Sequence, residues 1–427
     1  MSYQSPYTAF IFEQADFDET SGIVTFRYSF DGKVSFQEAV QFDVTTEYDK
    51  ATFERAMWLG FVIAGISYYK CYPTRRVEFA QGVLSPEQAA FFTEVYRDGL
   101  SQFVYENGLT PDDIAVFRPT VSEAPQPVDY DGTGIVSLQS GGKDSLLVAS
   151  LLEQKDLPYT GWYVSQGPHH PAVLDSLGSP LRTTIRTVDV AAITQQLARG
   201  ALNGHVPVTF INLSYALMDA VLHNESTILA AIGREGEEPH AFIGDYAVRH
   251  QWSKTWHAER LFSSYVGRFI AASIRVGSPL RSYSELKVAR MFAHHAWERF
   301  GRVFSSCNVA NYKQGQDNSQ LRWCSDCPKC ANSFLLFAPF IAPTELMQVF
   351  GAGLYAKPSL ESTFKGLLGV DDVEKPFECV GETDELRLAY HLSQNNGYTS
   401  LPFVVPPSEF DIDQPSDGQS WAVEMLQ

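Results

Sequence analysis

The chain has 427 residues, too many for one ordinary core, and its 44% apolar and 13% aromatic content is enough to fill two or three domains. A net charge of −18 repels phosphate backbones and argues against a nucleic-acid partner. The longest apolar runs, such as "FLLFAPFIA", fall short of the roughly 20 residues that cross a bilayer, which argues against a membrane partner, and six cysteines in so long a chain make no disulfide scaffold.

Residues 1–108 are the first predicted unit. "MSYQSPYTAF" has no basic region followed by an apolar core, so the expected compartment is the cytoplasm. "AFIFEQADF", "GIVTFRYSF" and "VSFQEAVQFD" read as strands joined at Thr20-Ser21-Gly22 and Asp31-Gly32, an antiparallel meander. A helix is predicted from about Thr52 to Tyr69. A second opens at Ser85-Pro86-Glu87-Gln88, a capping box with proline at the first helical position, and closes near Asn107-Gly108. Residues 109–132 bring prolines, acids and glycines without periodicity and read as a linker.

From 133 to 350, β-like runs alternate with helix-like ones. "GIVSLQ" precedes a helix from Asp144 to Glu153, "YTGWYVS" follows, "RTTIRTVDV" leads to a helix ending near Leu202, and "VPVTFINLSYALMDAVLH" and "HAFIGD" open on further β-like runs. Such alternation predicts an α/β class, a parallel sheet with flanking helices. Between Arg249 and Arg302 ten Lys or Arg face three acidic residues, so one stretch of an acidic chain suits either a solvated helix face or an anionic small molecule. Residues 351–427 are a C-terminal extension, with a proline-rich, acidic tail from Pro406 that is expected to be poorly ordered.

Residues 137–152, "SLQSGGKDSLLVASLL", lie where a strand would end and a helix begin, the place at which parallel sheets bind ligands. Gly141 and Gly142 permit a tight turn whose backbone N–H groups approach an anion, with the dipole of the following helix aimed at the same point. Ser140 and Ser145 add hydroxyls, Lys143 a positive charge, and Asp144 a carboxylate able to hold Mg²⁺. Together they make a predicted polyphosphate cradle, although the turn matches neither G-x-x-x-x-G-K-[ST] nor G-x-G-x-x-G. A glycine turn of purely structural use is the bland alternative.

Cys324, Cys327 and Cys330 in "WCSDCPKC" are separated by two residues each, and Cys307 lies upstream in "FSSCN". Four thiolates suit one tetrahedral Zn²⁺ in a closed structural site. An iron–sulfur cluster and free thiols in a loop are the alternatives. Cys71 and Cys379 stand alone, as small buried hydrophobes commonly do.

"SGGKDS" resembles the PP-loop of the N-type ATP pyrophosphatases, which implies an adenine nucleotide α-hydrolase-like sheet and cleavage of ATP between its α and β phosphates. A PP-loop followed by four cysteines also resembles 7-cyano-7-deazaguanine synthase. The ordered stretches "AGISYYK", "LNGHVPVT", "NES" (224–226), "HQWSK", "SELKVARMFA", "FSSCN", "WCSDCPKC" and "KPFECVGE" together resemble the MurL family, the UDP-N-acetyl-α-D-muramoyl-L-alanyl-L-glutamate epimerases, over nearly the whole chain. That resemblance implies a UDP-sugar peptide substrate and inversion of its terminal L-Glu in cytoplasmic peptidoglycan precursor synthesis. It also implies use of ATP and Mg²⁺ and release of AMP and diphosphate.

Within that reading His205 is the first candidate for proton transfer, followed by Lys254, His250 and Cys379. Their bland alternatives are a helix cap, a phosphate ligand and core packing. Asp144 with Glu225 or Asp245 is expected to hold Mg²⁺, and Arg249, Arg281 and Lys287 to meet substrate phosphates or carboxylates. Against the family pattern of small residues after Asn-Glu-Ser and of "NHQYSK", the chain has Thr227-Ile228-Leu229, Arg249 and Trp252, departures expected in a substrate pocket. Three rivals stay open: an epimerase for another peptide, a PP-loop ligase or amidotransferase, and a non-catalytic zinc module.

Overall fold

Apolar residues at every second position turn the first three predicted strands into a buried face. In the computed structural model, which describes residues 3–44, 47–312, 318–414 and 420–426, β1 (Phe10–Asp18), β2 (Ile23–Phe30) and β3 (Val34–Gln41) pair antiparallel in sequence order. Phe10, Phe12, Phe26, Phe30 and Phe36 are buried. Asp31 and Gly32 both take positive φ, 49° and 66°, at the β2–β3 turn.

The helix predicted over 52–69 is two, α1 (Lys50–Ala64) and α2 (Ile66–Tyr69). Between them a Cβ on Gly65 would lie 2.7 Å from the Phe12 ring, so the backbone itself packs on the sheet there. β4 (Val77–Phe79), unforeseen because three residues carry no period, lies parallel to β1. The capping box at Ser85 forms as expected, but its helix is divided at Leu100 into α3 (Pro86–Gly99) and α4 (Ser101–Glu106). In the segment 109–132, Ile114, Phe117 and Tyr130 are buried and Val128 bridges to Ala271, so this stretch is packed against the body.

β5 (Ile135–Leu138), α5 (Lys143–Gln154), β6 (Thr160–Ser165), β7 (Leu181–Thr187) and α6 (Val190–Leu197) follow. Residues 208–222 then form a helix, α7 (Val208–Leu222), and not the expected β-like run. Nearly every side chain of α7 is buried, and an apolar run without alternation cannot be told from a buried strand by pattern. The chain returns through β8 (Thr227–Leu229), leaves in a separate ribbon of β9 (Ala241–Ile243) and β10 (Tyr246–Val248), and reaches β11 (Arg275–Gly277) after α8 (Trp256–Phe269).

The main sheet has the order β11-β8-β5-β6-β7-β3-β2-β1-β4. The strands from β11 to β7 are parallel, and β7 pairs antiparallel with β3, so the meander extends the same sheet. Neighbouring residues on one strand enter different cores. Trp162 and Ile228 join the core of the meander, α1 and α7, whereas Tyr163 and Leu229 join that of α5 and the later helices. β5 lies between β6, which the chain visits next, and β8, to which it crosses back after β7. It therefore stands where the winding reverses, the place at which such sheets open a crevice at their carboxyl ends.

The remaining helices are α9 (Glu285–His295), α10 (Trp297–Phe300), α11 (Asn308–Asn311), α12 (Pro328–Phe337), α13 (Pro343–Phe350), α14 (Glu361–Leu368), α15 (Thr383–Asn395) and α16 (Trp421–Leu426). Residues 415–419 of the tail lie outside those described. The tail beyond them is ordered, against expectation, because Ala422 and Val423 are buried and Arg275 of the edge strand stacks 3.8 Å from the Trp421 ring. Among the described residues no helix is long and apolar enough to cross a membrane.

Candidate active site

The glycine turn stands at the carboxyl end of β5. Gly141 has φ +78°, and a Cβ there would lie 2.4 Å from Leu321 Cδ1 and 2.9 Å from Val173 Cγ1, so both conformation and space require glycine. Gly142 precedes α5 with no side chain capping the first turn, which leaves N–H groups of that helix directed at the turn. The Ser140 N–H donates to Ser145 Oγ at 3.2 Å. Lys143 is buried, with Nζ 2.5 Å from both Asp144 Oδ1 and Glu285 Oε2. Burial works to lower the Lys143 ammonium, and the two carboxylates outweigh it. Glu285, first residue of α9, keeps Oε1 buried and, among the described residues, without a partner; burial, with Glu235 and Asp144 close by, pushes its carboxyl well above the ordinary range.

Lys254 lies next to this cluster, near Asp144. Its Nζ donates to Glu235 Oε1 at 3.1 Å and to Cys379 Sγ at 3.6 Å. Burial opposes its charge, but Cys379, Glu235 and Asp144 hold the ammonium above its usual range. The segment carrying Cys379 is tied down at several points. Lys329 donates to the Cys379 carbonyl, Lys375 pairs with Glu238, and Arg234 Nε donates to Glu382 at 3.1 Å.

Beyond Lys254 stand three histidines. The His205 and His250 rings are 4.7 Å apart, and His240 is 6.1 Å from His250. Lys70 Nζ donates to the carbonyl of Gly204 at 3.0 Å and so fixes the turn that carries His205. Burial lowers all three, His205 to about 3 and His240 and His250 to about 4, and the positive charge of Lys254 adds to the effect at His205 and His250. Their imidazoles are neutral bases at physiological pH.

The four cysteines meet. Cys307 Sγ is 3.7 Å from Cys327 Sγ, Cys330 Sγ is 3.7 Å from Cys324 Sγ and 3.5 Å from Cys327 Sγ, and all four sulfurs lie within 4.8 Å of one another. Metal–sulfur bonds of about 2.3 Å in a tetrahedron give sulfur separations of roughly 3.8 Å, so the set fits one ion. Disulfides need about 2 Å, and a multi-iron cluster would spread the thiolates further. The group touches both neighbouring features, since Ser305 N–H donates to the Gly141 carbonyl at 3.2 Å and Lys329 lies between two of the cysteines.

Sequence models of the MurL N-terminal domain and the MurL C-terminal domain match residues 1–278 and 303–414. The chain belongs to the MurL family. It is 34% identical over 408 residues, 93% of its own length and 87% of the relative's, to a UDP-N-acetyl-alpha-D-muramoyl-L-alanyl-L-glutamate epimerase of Salinispora tropica. It is 31% identical over 425 residues to a protein of the same name from Xanthomonas oryzae, covering 98% of this chain and 93% of that one. A Micromonospora protein of that name is 33% identical over 93% of this chain and 89% of its own length.

Most of the stretches that carried the MurL resemblance converge on this cluster of side chains, and the expected residues stand at varying distances from it. Glu225 is buried at the amino ends of the strands, where it pairs with Arg182 and accepts from Thr160 at 3.1 Å. Because Asp144 follows the carboxyl end of β5, the two carboxylates stand on opposite ends of the sheet. Asp245 is exposed at the tip of the β9–β10 ribbon. Arg281 is 1% exposed, and its guanidinium pairs with Glu259 at 2.8 Å and donates to the carbonyls of Gly233 and Lys254, so it holds these segments together. Lys287 pairs with Asp413 of the tail. Arg249 is half-buried next to His250, its Nε donating to the Glu237 carbonyl at 3.2 Å.

Of the departures from the MurL pattern, two lie in the packed interior: Thr227-Ile228-Leu229 is strand β8, between β11 and β5, and Trp252 packs 5.5 Å from Phe210 in the core. Residues that sequence reasoning passed over are Glu235, Glu285, Lys70, Lys329 and His240. Lys70, Glu285 and Lys329 lie inside the stretches that carried the family resemblance, so proximity to the motifs was a usable signal; His240 opens "HAFIGD", read only as a β-like run, and Glu235 lay in no quoted stretch.

Proposed function

We propose that the protein is an ATP-dependent epimerase that inverts the terminal L-glutamate of UDP-MurNAc-L-Ala-L-Glu in the cytoplasm, during peptidoglycan precursor synthesis. The supporting observation is one continuous cluster of side chains, in which Lys143 touches Asp144 and Glu285, Lys254 touches Glu235 and Cys379, and the His205 and His250 rings lie 4.7 Å apart. Lys254 is close enough to Asp144 to feel its charge and close enough to His205 and His250 to depress both. Membership of a family whose relatives carry that epimerase name supplies the substrate.

A carboxylate opposes loss of the proton on its neighbouring carbon, because negative charge would build up beside negative charge. In the proposed reaction the substrate carboxylate oxygen attacks the α-phosphorus of ATP and diphosphate leaves, giving an acyl adenylate without that obstacle. If the α-hydrogen is thereby acidified by roughly ten units, the gain is on the order of 14 kcal/mol, within the range catalysis requires. One group then takes the proton from one face, another returns a proton to the opposite face, and water cleaves the adenylate to the D-product and AMP.

Residues 140–145 bind the polyphosphate in this reading, with Lys143 supplying charge and Asp144 holding Mg²⁺. A PP-loop domain is the matching fold. His205 and His250 serve one face of the α-carbon and the Lys254–Cys379 pair the other, with Arg249 left to meet a substrate anion. Cys307, Cys324, Cys327 and Cys330 hold a structural Zn²⁺ that keeps the glycine turn and the Cys379 segment in place.

Incubation with ATP, Mg²⁺ and UDP-MurNAc-L-Ala-L-Glu tests the proposal. The expected products are the D-Glu isomer at unchanged mass, AMP and diphosphate in equal amounts. A new amide would turn the reading toward a ligase, and failure to release diphosphate would overturn it.

A further inference from the structure

We propose that Glu106 and Gln102 are positioning residues that fix the tautomer of His250, leaving its Nε2 as the lone pair that exchanges the substrate's α-proton. The inference deepens the epimerase reading and rests on it for the proton's destination.

Gln102 and Glu106 stand one turn apart on α4, on one face of the helix. Glu106 Oε1 accepts from Gln102 Nε2 at 2.7 Å, and Gln102 Oε1 lies 2.7 Å from His250 Nδ1. An ionised carboxylate only accepts, so it selects which end of the Gln102 amide faces it. The opposite end, an oxygen, also only accepts, and therefore Nδ1 of His250 carries the proton. A neutral imidazole has one N–H, so Nε2 is bare, and among the described residues it makes no hydrogen bond.

The arrangement reaches from the surface inward. Glu106 is exposed, whereas Gln102 and His250 are buried. Among the described residues His205 Nε2 is buried without a hydrogen bond, and of the neighbouring histidines only His250 has its ring set by a chain that ends in a carboxylate.

The tautomer is measurable in the unliganded enzyme. Nitrogen NMR of the protein labelled with ¹⁵N-histidine is expected to give protonated Nδ1 and bare Nε2 for His250; a protonated Nε2 would overturn the proposal. Single-turnover measurements then separate positioning from folding. Gln102→Leu is expected to leave diphosphate release with the muramyl peptide within about twofold and to slow deuterium entry at the α-carbon about 10²-fold, with KM unchanged.

The exchanged pair Gln102→Glu with Glu106→Gln keeps an acceptor against Nδ1 and is expected to restore most of the exchange. It is also expected to shift the acid limb of the rate upward, because a carboxylate now adjoins an imidazole otherwise faced by Glu378, Lys329, Lys254, His205, His240 and position 106. Parallel loss of both half-reactions in Gln102→Leu, or no recovery in the exchanged pair, would contradict the relay. If the wild-type enzyme releases no diphosphate, the epimerase reading fails, and the NMR result still decides the tautomer.

Discussion

The two ends of the side-chain cluster, around Lys143 and around His250, manage charge in opposite ways. Around Lys143, one ammonium is crowded by acidic groups: it touches Asp144 and Glu285, the latter with its carboxyl pushed up by burial, and Glu235 is near enough to add to the field. Around His250, burial keeps three imidazoles neutral. A dense set of acidic and basic groups suits a highly charged ligand whose binding rearranges the pairs, whereas imidazoles kept neutral by burial retain a bare ring nitrogen that can accept a proton. Lys254 belongs to both ends.

Changes at the cysteine centre should break both ends at once. Cys327→Ser, or removal of the ion by a chelator, is expected to abolish diphosphate release and α-carbon exchange together, at a cost in stability of about 4 kcal/mol or more, read by denaturant unfolding and metal analysis. Lys143→Ala and Asp144→Ala are expected to lower diphosphate release about 10³-fold while near-UV circular dichroism shows an intact fold. His250→Ala should separate the two ends, preserving diphosphate release in one turnover and slowing exchange about 10²-fold, whereas Lys254→Ala should impair both.

The smallest effect is a pH dependence of stability. His205, His240 and His250 bind protons less readily folded, at about 3 to 4, than unfolded, near 6.5. As pH falls below 6.5 the unfolded chain takes up protons that the folded chain refuses, so the stability they contribute declines, by up to about 1.4 kcal/mol per pH unit for each, until the folded histidines titrate as well. Asp219 and Glu385, raised by burial to about 6 and 7, act in the opposite sense. The histidine share is therefore read as a difference, and unfolding of a His240→Gln variant between pH 6.5 and 5 should show a flatter loss than wild type.

How legible each region was depends on how far apart its parts lie in the chain. The glycine turn and three of the four cysteines are contiguous, and local backbone chemistry gives them away. The meander was legible through alternation, whereas α7, buried all round, offered no period. Glu225 was misplaced because β8 went unrecognised; a residue just before a parallel strand stands at its amino end, away from the phosphate turn. Gln102 gave no sign of facing a histidine 148 positions away. Such contacts belong to the tertiary fold, and only the eight-stretch resemblance hinted that distant segments converge.

The central claim is that activation by ATP at the Lys143 end makes a proton removable at the His250 end. Incubation of the enzyme with UDP-MurNAc-L-Ala-L-Glu in D₂O, with and without ATP, tests it most directly. Deuterium is expected at the glutamate α-carbon only when ATP is present, accompanied by AMP; deuterium entry at equal rates without nucleotide would contradict the account.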